Sequence, residues 1–289
     1  MRQRVLFISA VIIVAIAGVV YGFAQINKAN FGVPGFYVWR VLTGQSHTGA
    51  RANINGVSIY YETYGNGPPV LVLHGATGFL ETMHYFIQSL APSHTVIAVD
   101  SRAQGRSTDS ASPLSYTLMA NDMVKLMDTL HIKQADVVGW SDGGIIGLDM
   151  AMTHPDRVRR LVAISANYDV NGLDPQVFHA GFEAETAAQV KPFYDRIAPD
   201  PSHFPVMLRK VSAMLRSQPH YTTAELGLIR ARVLIVAGEH DLILRWHTDN
   251  LAHAVPGARE TIVPGATHFG PLEQPATYSD LVVSFLNAP

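Results

Sequence analysis

From Arg51 onward the chain alternates short apolar runs with stretches whose apolar positions recur every three or four residues. Residues 57–64 read as a strand, closed by Gly65-Asn66-Gly67-Pro68. Residues 70–73, 96–99, 135–140, 161–164, 233–237 and 261–263 are compact runs, most of them apolar at consecutive positions. Successive strand side chains point to opposite faces, so such a run needs cover on both sides, as central parallel strands have. Between these runs, residues 116–130 set Leu118, Met119, Met123, Leu126, Met127 and Leu130 on one helical face, and 145–152 and 276–286 read similarly. The pattern predicts an α/β fold with a mostly parallel central sheet and helices on both faces. Working groups of such sheets gather in loops at the carboxyl ends of the strands.

Two segments depart from the rhythm. Residues 167–227 carry no strand pattern; they hold Pro175, Pro192, Pro199, Pro201, Pro205 and Pro219, with short helical patterns such as 206–215. A structureless loop of that length is uncommon inside a domain, so the expectation is a helical cap inserted between two strands of a core spanning 51–289. At the other end, residues 5–24 are almost wholly apolar, interrupted only by Ser9 and Tyr21 and preceded by Arg2 and Arg4. About 20 such residues suffice to span a bilayer. Gly22 and Ala24 also suit the −3 and −1 positions of a signal-peptidase site before Gln25. Residues 1–24 are therefore expected to be a membrane anchor, or a signal that is cleaved. The rest of the chain then lies on the extracytoplasmic side, membrane-anchored or periplasmic or secreted. Residues 25–50 read as a connector in which Gly32, Pro34, Gly35, Gly44 and Gly49 break regular structure. Its Phe31, Phe36, Tyr37 and Trp39 suit a membrane interface or the outside of the main domain.

Composition narrows the function classes. The 289 residues suffice for one large α/β domain with an insertion or for two small domains, and 48% are apolar. Only 15% are charged and the net charge is −2, so no basic face offers itself to nucleic acid. With no cysteine, a disulfide framework, a thiolate metal site and a cysteine nucleophile are all excluded. The 13 histidines form no His-Glu-x-x-His and no tight cluster with Asp, so they read as surface or structural residues and no metal site is expected.

The chemistry concentrates in Gly139-Trp140-Ser141-Asp142-Gly143-Gly144, which follows an apolar strand and precedes a helix. This is the context of a nucleophile elbow, where a strained turn lifts a serine hydroxyl out of the sheet. Side chains two residues either side would collide there, hence the glycines. A serine needs a base, and His268 lies in a loop just after the run 261–263. The base needs a carboxylate to fix its tautomer, and Asp241 ends Gly238-Glu239-His240-Asp241, past another strand. Glu239 and Asp169 are the rivals for that role. The backbone N–H of Asp142 and that of Ala76, in His74-Gly75-Ala76-Thr77-Gly78, are candidate donors to an oxyanion.

These pieces resemble the α/β-hydrolase family: Leu73-His74-Gly75, the elbow, Gly238 to Asp241 and Gly265-Ala266-Thr267-His268 occur in the family's order. Asp100-Ser101-Arg102-Ala103-Gln104-Gly105-Arg106-Ser107 is similar to the family's Asp-x-Arg-Gly-x-Gly-x-Ser turn, with Ala103 where a glycine is usual, and His154-Pro155-Asp156-Arg157-Val158 is also family-like. The resemblance implies a serine hydrolase without cofactor, acting on a small ester-like molecule through an acyl-enzyme on Ser141. Amide, peptide, lactone or C–C bond cleavage, cofactor-free peroxidase-like activity and a non-catalytic binding module remain open alternatives. Epoxide hydrolases and haloalkane dehalogenases of this fold carry an aspartate where this chain has Ser141. The elbow and cap also resemble the valacyclovir-hydrolase and prolyl-iminopeptidase neighbourhood, where the acid after the nucleophile helps recognise a substrate amine. That analogy would give Asp142 a preference for cationic substrates; the plainer reading is an acid stabilising a helix N-terminus.

Overall fold

The computed structural model describes residues 33–44 and 48–288. Two compact units divide at Gln45/Ser46. In the first, Val33–Thr43 form helix α1, where a break in regular structure was expected. Pro34 sits in the first turn, where a missing N–H breaks no helical bond, and Gly44 follows the last residue at φ 58°. Glycine and proline at the two ends of a segment thus delimit a helix. The apolar run 5–24 lies outside the described residues. Among the described residues no helix is long and apolar enough to cross a membrane.

The second unit is built on one eight-stranded sheet: β1 Thr48–Ile54, β2 Val57–Tyr64, β3 Pro69–Leu73, β4 Thr95–Asp100, β5 Ala135–Trp140, β6 Val158–Ile164, β7 Arg232–His240 and β8 Arg259–Thr267. The order is β1-β2-β4-β3-β5-β6-β7-β8. β2 runs antiparallel to both neighbours, and all pairings from β4 through β8 are parallel. Burial follows the sequence pattern: β5 is buried at every position, as is β3 after Pro69. β1 escapes that pattern because, among its described side chains, only Ala52 and Ile54 enter the core. It forms a hairpin with β2 through Asn55-Gly56, both at positive φ.

Helices α2 His84–Leu90, α3 Tyr116–Thr129, α4 Asp142–Thr153, α8 Arg245–Ala254, the short α9 Gly270–Glu273 and α10 Pro275–Asn287 accompany the sheet. α4, which leaves the elbow, is buried at every residue from Asp142 to Met152. The cap lies between β6 and β7 and holds α5 Phe182–Ile197, α6 Phe204–Ser217 and α7 Thr223–Leu226, with short 3-10 turns. Its two ends are laced together: Val170 N–H donates to Pro219 C=O and Tyr221 N–H to Tyr168 C=O, each at 2.9 Å.

The turn after β4 is held from beneath. Arg102 donates from Nε and Nη2 to Asp122 of α3, each at 2.7 Å, and both side chains are shut from solvent. Ala103, standing where the family favours glycine, still adopts φ 67°, so the turn keeps its left-handed residue despite a Cβ. Removing one partner of a buried ion pair leaves the other charge uncompensated. Arg102→Ala should therefore lower stability by about 3–5 kcal/mol, measured by denaturant unfolding. The double replacement Arg102→Met/Asp122→Leu should recover most of that loss.

Candidate active site

Ser141 stands between β5 and α4 at φ 55°, ψ −119°. Its N–H donates to Ile164 C=O at 2.8 Å, and its own C=O accepts from Gly144 and Ile145 N–H. A Cβ added at Gly139 would lie 2.1 Å from Gly143 O, and one at Gly143 would lie 2.1 Å from Leu73 O. Both positions therefore exclude side chains, and the turn stays tight enough to project the Ser141 hydroxyl at the end of the strand.

His268 Nε2 lies 3.1 Å from Ser141 Oγ, and its Nδ1 lies 2.7 Å from Asp241 Oδ1. The parallel sheet does the assembling: the three loops leave β5, β7 and β8 at the same edge. Asp241 is saturated with donors. Oδ1 also accepts from Ile243 N–H, while Oδ2 accepts from Gly238 N–H and from Ser165 Oγ at 2.6 Å. Burial pushes its carboxyl up, but hydrogen bonding and charge from His268, with Ser165 and Ile243, hold it below the ordinary range. The rivals are engaged elsewhere: Glu239 accepts from Gly265 N–H, and Asp169 pairs with His220 at 2.9 Å.

Residues that sequence reasoning left out complete the frame. The Trp140 indole N–H donates to His268 C=O at 2.9 Å and so pins the loop carrying the base. A tryptophan ending a buried strand must place its N–H on an acceptor, and that was the available signal. His74 is buried and neutral, burial lowering its pKa to about 4 against a small rise from Gly75. Its Nε2 accepts from Ser101 N–H at 3.0 Å, so its Nδ1 carries the proton donated to Gly75 C=O at 2.7 Å. Gly78 N–H also donates to that carbonyl. In a trans peptide the carbonyl and the next N–H point oppositely, so the Ala76 N–H is turned away from His74. The same loop touches Ser141: a Cβ on Gly75 would sit 3.2 Å from Ser141 Cβ. Asp142 opens α4, and its N–H is among those a helix start leaves without an internal acceptor. The Ser141 hydroxyl, the His268 imidazole and the Asp241 carboxylate thus meet at one place, with the Gly75 loop beside them and α4 starting there.

The Asp142 side chain turns inward. It is 2% exposed, Oδ1 accepts from the Tyr116 hydroxyl at 2.9 Å, and Oδ2 is buried without a hydrogen-bond partner among the described residues. Burial raises its pKa to about 6, opposed by the Tyr116 hydrogen bond and the charge of His268. A carboxylate so enclosed fits a structural anion at a helix N-terminus better than a group that receives a substrate amine.

Several known proteins are similar to this chain. Residues 68–226 match the family described as the alpha/beta hydrolase fold. A Caulobacter vibrioides protein, RutD, named for carbamate hydrolysis, is 32% identical over 266 residues, covering 79% of this chain and 95% of that protein. The serine hydrolase BPHL of Mus musculus is 30% identical over 257 residues, 84% of this chain and 88% of its own. Among solved structures, carboxylesterase CesB of Bacillus subtilis shares the fold, with a TM-score of 0.70 at 24% identity over 90% of this chain and 98% of that one.

The raised Asp142 carboxyl has a measurable signature. Unfolded, it ionises near 3.8; folded, near 6, so below about pH 4 both states are protonated and the difference vanishes. Between those values the folded chain binds the extra proton, and stability falls as pH rises. Asp142→Asn removes this slope. Its stability relative to the parent should improve by about 1–3 kcal/mol from pH 4 to pH 7, read from denaturant melts at both pH values. An unchanged difference would show that the carboxyl ionises freely.

Proposed function

The chain belongs to the α/β-hydrolase family, and from that premise we propose that it cleaves small carboxylic esters through an acyl-enzyme on Ser141. The observation that carries this reading is the line from Asp241 through His268 to the Ser141 hydroxyl, at 2.7 and 3.1 Å. Ser141 Oγ attacks the carbonyl carbon while His268 Nε2 takes its proton. The Ala76 and Asp142 N–H groups receive the oxyanion. His268 returns the proton to the leaving alcohol, then activates water to release the acid. Asp241 holds the proton on Nδ1 throughout, leaving Nε2 free to accept.

The relatives support hydrolysis more broadly than ester cleavage. A carbamate, the bond in RutD's name, presents the same kind of carbonyl to the same line of groups. The decisive panel therefore sets esters graded by acyl length beside carbamates, lactones and amides. We expect the short esters to turn over fastest; preference for another class would replace the ester assignment and leave the mechanism. A dependence of activity on hydrogen peroxide with an organic acid would favour the peroxidase-like alternative.

A fluorophosphonate should label the parent protein and not Ser141→Ala. Asp241→Asn should lower turnover by roughly 10³–10⁴-fold while the chain stays folded, because the amide favours the wrong imidazole tautomer. Labelling that survives in Ser141→Ala would refute the assignment of the nucleophile. Residues 1–24 are proposed to export the enzyme. N-terminal sequencing of the membrane and soluble fractions would find either Met1 retained in the membrane or a chain beginning at Gln25, and retention in the cytosol would overturn it.

A further inference from the structure

Ser165 follows the last residue of β6 and adopts φ 51° although it is not a glycine. It is 1% exposed, so no solvent contact explains the residue choice. A left-handed conformation costs a side-chain-bearing residue, and glycine would adopt it at no steric cost. What the side chain provides is one hydrogen bond, from Oγ to Asp241 Oδ2 at 2.6 Å. Asp241 accepts there as a carboxylate, since it carries His268 on its other oxygen. On the backbone, Ser165 N–H donates to Val236 C=O at 2.7 Å, fixing the residue against β7. Its neighbour Ile164 receives the Ser141 N–H at 2.8 Å. β6 lies between β5 and β7, so this dipeptide reaches the nucleophile on one side and the acid on the other.

We propose that Ser165 is a positioning residue of the hydrolytic site, its hydroxyl locking the Asp241 carboxylate in the rotation that serves His268. The proposal rests on the reading of Ser141, His268 and Asp241 as the reacting set. Without the hydroxyl, Oδ2 keeps only the Gly238 N–H at 3.1 Å, and the carboxylate gains freedom to turn. It also carries more charge towards the imidazole, so the pH dependence of Ser141 labelling should change. The neighbouring carboxyls keep partners other than Ser165. Asp142 stays under Tyr116, Glu273 stays on Thr267, and Glu239 stays on Gly265 N–H.

The test compares Ser165→Gly with Ser165→Ala in the full chain. Both lose the hydroxyl, but only glycine relieves the left-handed backbone. The readouts are the second-order rate of fluorophosphonate labelling between pH 5 and 9, kcat and KM on p-nitrophenyl acetate, and the melting temperature. We expect both variants to label and turn over roughly ten-fold more slowly, as loss of a hydrogen bond to a charged group implies, with KM unchanged. The acidic limb of the labelling profile should move up by roughly half a pH unit in both. Ser165→Gly should melt above Ser165→Ala. A residue needed only for its backbone shape gives the opposite pattern: Ser165→Gly would keep the parent's labelling rate and pH limb, and the proposal would fall. If Ser165→Ala does not fold, Ser165→Gly alone decides. Labelling of Ser141→Ala, run alongside, exposes a failure of the underlying assignment separately.

Discussion

A serine held at φ 55°, ψ −119° is in a conformation its side chain resists, and the site depends on keeping it there. Several contacts over-determine that geometry. Ile164 takes the Ser141 N–H, the first turn of α4 takes its C=O, and the absence of side chains at 139 and 143 lets β5, α4 and β3 close to van der Waals contact. Because α4 is buried along nearly its whole length, the turn cannot relax outward without unpacking the core. The strain is local, and the packing that opposes it belongs to the whole domain.

Parallel register then converts one fixed residue into a site. Strands that run the same way deliver their loops to the same edge, so β5, β7 and β8 supply Ser141, Asp241 and His268 without any long excursion of chain. Fine placement comes from groups outside that trio: Trp140 on the His268 carbonyl, His74 on the Gly75 carbonyl, and the Ile164–Ser165 pair between nucleophile and acid. Two nearby carboxyls meet opposite environments. Asp241 receives four donors and is held low, whereas Asp142 receives one and is pushed up to about 6. The first therefore stays anionic beside the imidazole as a stabiliser of its charged form, while the second answers to acid.

The elements legible in the sequence are those whose cause is local. Consecutive apolar positions announce β3 and β5 because both faces are covered, and a Gly-x-Ser-x-Gly between strand and helix announces the elbow. β1 was illegible because its residues are small or polar and only two of its described side chains enter the core, although Asn55-Gly56 marked its hairpin. α1 was misjudged because its Pro34 and Gly44, which punctuate helix ends, read equally well as breaks. Ser165 and His74 carry their roles through partners 76 and 27 residues away, a distance over which periodicity and spacing say nothing.

The cap follows a different logic from the sheet. Its ends are tied to each other by two backbone hydrogen bonds and, through Tyr221, to Asp149 of α4, and its middle is tied down by Lys210 and His203 on Asp109 and by the Phe79–Phe193 ring contact. None of these contacts involves Ser141, His268 or Asp241. A further set ties the cap beside Asp241: Leu244 N–H donates to Gly172 C=O at 2.8 Å and Asp174 N–H to Leu242 C=O at 2.9 Å, and Ile243 between them donates to Asp241 Oδ1. Phe79 lies just past the loop that carries Ala76, so the Phe193 contact brings the cap to the end of that loop. The line from Ser141 through His268 to Asp241 is thus fixed by strand register and a strained turn, both costly to alter. The cap is held instead by side-chain tethers to Asp109, Asp149 and Phe79, contacts that strand register does not set.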